Sequence, residues 1–205
     1  MPGQRLLAFL ALQTQPVLRS FVSGTLWLES NDENAAGSLR SALWRLRQPG
    51  YDLVETTSRH VRLSPGIDVD IRHAVAWAQR ILSGADLEAG DVAQATTFGD
   101  LLPDWYDDWL VIERERLRQL ALHALEELSE RLREELRFGQ ALEVALAAVR
   151  RDSLRETAHR AVIQVHLAEG NVAEAVRHYR FYVRLLRDQL DLAPSRGLQE
   201  LMRSL

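Results

Sequence analysis

The sequence predicts a mainly α-helical protein with one short β hairpin and two domains in series. From Asp70 onward the 205-residue chain shows only helical patterns, and residues 105–137 include neither glycine nor proline. Strand-like runs occur between residues 51 and 63. Apolar residues three and four apart share one helix face, whereas strands alternate every second residue. These observations place short helices before the hairpin and a long series of helices after it.

Three short helices are predicted in the first part of the chain. They span 5–13, 17–27 and 34–48. Pro16 separates the first two, and the polar residues 30–33 separate the second from the third. Asp32 and Glu33 stand just before the third segment, where carboxylates favour a helix N-terminus.

The third of these helices combines an apolar stripe with a basic face. Its stripe consists of Leu39, Ala42, Leu43 and Leu46. Its arginines point elsewhere and no acid occurs among the fifteen residues; they are Arg40, Arg45 and Arg47. Such a helix can lie in a DNA groove. A surface helix with solvated arginines explains this segment alone equally well.

A β hairpin follows Pro49 and Gly50. Its strands are predicted at 53–54 and 61–63, with residues 57–60 at the tip. The order helix, helix, basic helix, hairpin is that of a winged helix-turn-helix. Pro65–Gly66 marks its end, so the sequence predicts a partial winged helix-turn-helix DNA-binding domain over residues 1–66 and a second domain over residues 67–205.

The second domain shows an internal repeat of 34 residues. Its main helices are predicted at 71–82, 105–137, 140–151, 154–168, 172–190 and 195–205, with a short helix at 92–97. A shift of 34 residues pairs Phe138, Ala141, Leu142 and Val149 with Val172, Ala175, Val176 and Val183. This is the tetratricopeptide period, although Leu136 stands where the second unit has Gly170. A tetratricopeptide-like, all-helical domain is predicted, and a plain helical bundle is the alternative.

Charge is distributed unevenly along the chain. Seven arginines and five acids give residues 1–65 a charge of +2, whereas eighteen arginines and twenty-four acids give residues 66–205 a charge of −6. The positive excess coincides with the basic helix, and the −6 disfavours nucleic acid as the partner of the second domain. Tyr179, Arg180, Tyr182 and Arg184 indicate instead that this domain contacts proteins, because such residue types are enriched at interfaces.

The composition excludes several kinds of chemistry. All 25 basic residues are arginine and cysteine is absent, so the chain has no lysine Schiff base, phosphate-loop lysine or disulfide. The apolar run 6–12 is short for a signal peptide and nothing is long enough to span a membrane, so a cytoplasmic protein is expected. The scattered histidines, interpreted as surface or half-buried, suggest no metal site.

Four acids surround Trp105 and Trp109, and paired acids beside aromatic residues can indicate glycoside hydrolysis. These acids are Asp104, Asp107, Asp108 and Glu113. Acids after Pro103 also suit the first turns of a helix, and this explanation is preferred. We therefore expect no enzymatic activity and no cofactor.

Several segments resemble one bacterial family. The segments GQRLLAFLALQTQPVLRSFVSGTLW, ENAAGSLRSALWRLR and LVETTSRHVRLSPGIDVDI resemble the DNA-binding part of the antibiotic-regulatory (SARP-type) activators. Two later segments resemble the bacterial transcriptional activator domain that follows it: LLPDWYDDWLVIERERLRQLALHALEELSERL and SLRETAHRAVIQVHLAEGNVAEAVRHYRFYVRLLRDQLDLAPS. The later segments are the more specific, since W-x(3)-W-x(3)-E-R-x-R-L, L-R-E and Y-R-x-Y-x-x-L-L-x-x-x-L occur in order.

The resemblance implies a transcription regulator that binds double-stranded DNA beside a promoter, contacts RNA polymerase and activates a nearby biosynthetic or metabolic operon. A homodimer is a further partner state considered. The third helix would enter the major groove, the hairpin would reach the minor groove, and the second helix would touch the backbone. The corresponding residues of this chain are Arg19, Ser20, Arg40, Ser41, Trp44, Arg45, Arg47, Gln48, Arg59 and His60.

Two departures from the family pattern matter. The family's winged helix opens with a small antiparallel sheet, whereas this sequence starts at the first helix, so Phe9 or Leu12 is expected to be exposed. Trp44 stands where the pattern has a small polar residue; it would contact DNA or fill the gap left by the sheet. The alternative function is therefore a protein-interaction module whose front domain no longer binds DNA.

Overall fold

A computed structural model describes residues 2–48, 51–97 and 99–203. These residues form ten helices and five short strands, which confirms the prediction of a mainly helical chain. They divide into two compact units. The first unit comprises residues 1–73 and 105–112, and the second comprises residues 74–104 and 113–205.

The first unit contains three helices and two small sheets. Its helices are α1 (Pro2–Ala11), α2 (Arg19–Leu26) and α3 (Asp32–Leu46). Its strands are β1 (Val17–Leu18), β2 (Arg47–Gln48), β3 (Tyr51–Asp52), β4 (Val54–Thr56) and β5 (His60–Leu63). One antiparallel sheet has the order β1-β5-β4, and β2 pairs with β3.

Two predicted helix boundaries in this unit were wrong. The second helix starts at Arg19 because Val17 and Leu18 form a strand, in which Val17 pairs with Val61 and Leu18 with His60. The third helix ends at Leu46 because Arg47 and Gln48 pair with residues 52 and 51. In both places a two-residue strand pairs with a distant segment, and so short a strand has no periodicity of its own.

Phe9 is buried, which corrects the expectation that the first helix exposes it. Only 4% of Phe9 is exposed, and Leu12 is partly buried. Phe9 packs edge-on against Trp109 with ring centroids 5.3 Å apart, and Arg5 pairs with Asp107. Segment 105–112 therefore covers an apolar face of α1 within the first unit. The rest of this core comes from α2, α3 and β5.

Every element that the structure describes after Leu63 is a helix. These helices are α4 (Asp70–Leu82), α5 (Asp91–Thr97), α6 (Asp108–Glu134), α7 (Phe138–Arg151), α8 (Glu156–Ala168), α9 (Val172–Leu190) and α10 (Arg196–Arg203). The first residues of α4 and α6 belong to the first unit. In the second unit α8 packs against both α7 and α9. The long helix predicted over 105–137 is three residues shorter at each end.

The 34-residue offset recurs in the backbone. Helices α7 and α9 start 34 residues apart, and Ala141 and Ala175 are both fully buried. The turn before each helix is the same: Arg137 N donates to Leu132 O at 2.9 Å, and Asn171 N donates to His166 O at 2.8 Å. Leu136 (φ +60°) and Gly170 (φ +85°) occupy the same left-handed position in these turns. The first turn therefore keeps its geometry although it lacks the glycine.

Replacing Leu136 with glycine is expected to raise the free energy of unfolding by about 0.5–1 kcal/mol. A left-handed conformation costs a leucine about 1–2 kcal/mol, and the greater freedom of glycine in the unfolded chain cancels part of that gain. Leu136 is 72% exposed, so little packing is lost. Urea denaturation of the full chain, followed by circular dichroism at 222 nm, measures the change. The matched variant Gly170→Ala should lower stability; a loss in both variants would contradict the prediction.

Candidate nucleic-acid interface

Helix α3 is anchored by its cap and by its buried stripe. The Asn31 side chain accepts a hydrogen bond from Asn34 N at 2.9 Å, which caps the helix, and Asp32 and Glu33 lie in the first turn. Leu39, Ala42 and Leu43 are buried and Leu46 is partly buried. The predicted apolar stripe is thus confirmed, and it fixes which face of α3 points to solvent.

The opposite face of α3 is open to solvent. Trp44 is 76% exposed, and Arg40, Ser41 and Arg45 are exposed beside it. Neither Arg40 nor Arg45 forms an ion pair with any residue that the structure describes. Ser41 Oγ donates to Gly37 O at 3.0 Å, which leaves the oxygen able to accept. This face can therefore bind phosphate oxygens and the edges or methyl groups of bases.

Arg47 and Gln48 lie beyond the end of α3, contrary to the sequence prediction. Arg47 is exposed, and its Nη2 donates to Thr56 Oγ1 at 3.4 Å, so its guanidinium points along β4. Gln48 lies in β2, and its side chain falls outside the described part of the molecule. The helix face that the structure supports thus contains Arg40, Ser41, Trp44 and Arg45.

The hairpin tip between β4 and β5 is a tight, hydrogen-bonded turn. Thr57 Oγ1 accepts from Arg59 N at 3.3 Å and from His60 N at 2.9 Å. The Arg59 side chain is exposed, whereas His60 is half-buried. At the base of the hairpin Arg62 Nε donates to Glu55 across the strands at 2.7 Å. Arg59 therefore presents the more accessible cation at the tip.

Arg19 is bound to this tip, a role that sequence reasoning missed. Its backbone N donates to Arg59 O at 2.8 Å, and its Nη1 donates to Thr57 O at 3.3 Å. The neighbouring Ser20 is exposed. These contacts depend on the pairing of β1 with β5, for which the sequence around Arg19 contains no signal.

The acids near the tryptophans have structural partners. Asp107 pairs with Arg5 in the first unit, and Glu113 accepts from Arg116 Nε at 2.9 Å in the second. Asp108 is the first residue of α6, where its charge favours the helix dipole. Asp104 is exposed. Over residues 2–48, 51–97 and 99–203, no group of three or more His, Cys, Asp and Glu side chains could hold a metal ion.

A buried histidine pair lies in the second unit, where the sequence suggested only surface or half-buried histidines. His159 is fully buried; its Nε2 lies 2.9 Å from Ser153 O, and its Nδ1 lies 2.9 Å from His178 Nε2. Since a carbonyl only accepts, His159 Nε2 carries the proton, and Nδ1 accepts from His178. Burial lowers the pKa of His159, and burial together with His159 lowers the pKa of His178 to about 4.

The fold and the comparisons together define the class of protein. It is a mainly helical chain whose first unit presents a basic helix face and whose second unit is a series of packed helices. Residues 76–205 match the family model of the bacterial transcriptional activator domain, and the chain therefore belongs to that family. No curated protein matches the sequence significantly. Among the described residues no helix is long and apolar enough to cross a membrane. The family indicates a role in transcriptional activation.

Proposed function

We propose that this chain is a DNA-binding transcription regulator of the SARP type, which activates a nearby biosynthetic or metabolic operon. The observation that carries the proposal is the outer face of α3. Arg40 and Arg45 flank Trp44 there with no ion pair to a described residue, while the opposite face fills the core. Unpaired arginines on a short, well-anchored helix suit the phosphate contacts that dominate DNA affinity.

The proposed docking follows from the order of elements. Helices α1 to α3 and the sheet β1-β5-β4 have the succession of a winged helix-turn-helix, in which α3 enters the major groove. Arg40 and Arg45 then contact phosphates, and Ser41 and Trp44 lie nearest the base edges. A hydroxyl can bond to several bases, and an indole ring can pack on a thymine methyl group. Arg59 and His60 would touch the backbone or the minor groove.

In this arrangement Arg19 positions the wing. Its guanidinium donates to the Thr57 carbonyl, and Ser20 is the more accessible of the two residues at the start of α2. We therefore assign the backbone contact of α2 to Ser20 and retain Arg19 as a positioning residue.

The second unit is proposed to contact proteins, either RNA polymerase or a second copy of the chain. Support comes from the family match and from the 34-residue recurrence of α7 and α9, which is the period of tetratricopeptide-like arrays. We propose no catalysis, since the acids near the tryptophans are engaged by arginines or by a helix start.

A second candidate function is a protein-interaction module that does not bind DNA. One observation favours it: the family match lies within residues 76–205 and does not include α3 or the hairpin. The two candidates differ in whether the full chain binds duplex DNA, so one titration separates them.

Replacing Arg45 with alanine is expected to weaken DNA binding and to reduce its salt dependence by about one unit of slope, because one phosphate contact is lost. The measurement is fluorescence anisotropy of the full chain with a labelled random-sequence 30-base-pair duplex at several KCl concentrations. The control is Arg203→Ala, another exposed arginine, at the end of α10. An unchanged slope for Arg45→Ala would remove α3 from the interface. Absence of binding by the wild-type chain would favour the interaction module.

A further inference from the structure

Helix α9 has four exposed arginines on the side that faces away from its core contacts. They form the arginine stripe: Arg177, Arg180, Arg184 and Arg187. Their spacing of three and four residues places them on one face over about 15 Å of helix. Ala175, Tyr182 and Leu186 are buried on the opposite side. Of the residues expected at a protein contact, Tyr182 therefore belongs to the core, whereas Arg180 and Arg184 are exposed.

Three arginines of the stripe lack a carboxylate partner. Arg177 Nη1 binds Glu174 at 2.8 Å, but Arg180, Arg184 and Arg187 form no ion pair with a residue in the described part of the chain. No acid occurs between residues 175 and 187. Asp188 follows and is exposed, without an ion pair to the stripe. The stripe thus presents a concentrated and uncompensated positive charge.

Elsewhere in the same unit arginines are paired. Arg118 binds Asp152 at 2.6 Å, and Arg155 binds Glu126 at 2.7 Å. Like charges three or four residues apart destabilise a helix, so an ordinary solvated face would alternate arginine with glutamate. The stripe departs from the charge pattern of its own unit, which favours a binding surface over a solvated face.

Three observations identify the kind of partner. Phe181 follows Arg180 and is 46% exposed beside the stripe, and arginine with aromatic residues is the composition of protein interfaces. Residues 66–205 have a net charge of −6, which disfavours a polyanion as long as DNA. The unit also belongs to an activator-domain family.

We propose that the arginine stripe, with Phe181 at its edge, binds an acidic helical segment of a partner protein. Carboxylates three and four residues apart on that segment would face the arginines, and an apolar residue would meet Phe181. The inference rests on the proposed protein contacts of the second unit and is independent of DNA binding by α3.

The test compares two variants of the full chain with the same change of charge. The stripe variant is Arg180→Glu, Arg184→Glu and Arg187→Glu. The control is Arg150→Glu, Arg196→Glu and Arg203→Glu, three exposed arginines outside the stripe. The probe is a fluorescein-labelled 20-residue helical peptide with glutamates at i, i+3, i+7 and i+10 and one leucine, followed by anisotropy. We expect the Kd to rise at least tenfold in the stripe variant and less than twofold in the control.

Three results would overturn the proposal: no binding of the peptide to the wild-type chain, equal weakening in both variants, or loss of affinity for a 30-base-pair duplex while peptide affinity is unchanged. The last result would assign the stripe to nucleic acid. If circular dichroism shows that the stripe variant is unfolded, the three arginine-to-glutamine substitutions are compared instead. Arg45→Ala should affect the duplex alone, so failure here is distinguishable from failure of the proposed function.

Discussion

Replacing Trp109 with alanine should lower the free energy of unfolding of the first unit by about 2–4 kcal/mol, as expected for truncating a large core-packed aromatic residue. Trp109 is partly buried, and its ring packs edge-on against Phe9, which is 4% exposed. Such aromatic pairs add about 0.5–1.5 kcal/mol beyond the apolar area that they bury. The truncation would also open the face of α1 that segment 105–112 covers.

Hydrogen–deuterium exchange of the full chain localises this effect. Amides of α1 should exchange about 30-fold faster or more in Trp109→Ala, since each 1.4 kcal/mol is a factor of ten in the opening equilibrium. The control is Tyr106→Ala in the same segment, because Tyr106 is 92% exposed and a surface substitution changes stability by about 0.5 kcal/mol at most. Equal exchange of α1 in both variants would contradict the packing of Trp109 on Phe9.

The second unit is expected to lose stability as the pH falls from about 6.5 to 4. Burial lowers the pKa of His159 and His178 in the folded chain, to about 4 for His178. In this range the unfolded chain binds more protons than the folded chain, so the stabilisation is complete above pH 6.5 and is lost on acidification. With allowance for solvent screening of the half-buried His178, the loss is about 1–3 kcal/mol.

Urea denaturation of the full chain between pH 7.5 and 4.5 measures this dependence. His178→Gln keeps a donor for His159 Nδ1 and removes one titrating ring, so its stability should fall less steeply with acid than that of the wild-type chain. His123→Gln, at an exposed position of α6, supplies the control and should retain the wild-type profile. Identical pH profiles for the two variants would exclude the buried pair as the cause.

The sequence predicted those parts of the candidate interface that depend on local periodicity. The Leu39–Leu43 stripe and the exposure of Trp44 follow from helical spacing alone, and both are found. The 34-residue offset likewise located α7 and α9, because matching burial recurs at matching positions. Only near neighbours along the chain are needed for these predictions.

Features that join distant segments could not be predicted. Phe9 and Trp109 are 100 residues apart, and the strand Val17–Leu18 is recognisable only through its pairing with β5. The end of α3 was misplaced for the same reason, since β2 depends on β3. His159 and His178 meet between neighbouring helices, and the distance of 19 residues along the chain gives no sign of it. Each case requires the tertiary fold, which a single sequence does not specify by pattern.

The attachment of the hairpin tip to α2 has a consequence for recognition. Arg19 donates to the carbonyls of Thr57 and Arg59, and Thr57 Oγ1 accepts from two backbone amides of the same turn. The tip is therefore preorganised: its conformational entropy is lost when the chain folds and not when a ligand arrives. Ordering a flexible side chain on binding costs about 0.5–1.5 kcal/mol, so a tip held in this way contributes its contacts with a smaller entropic penalty. In a DNA complex of the proposed kind, the wing would reach the duplex already in its bound shape.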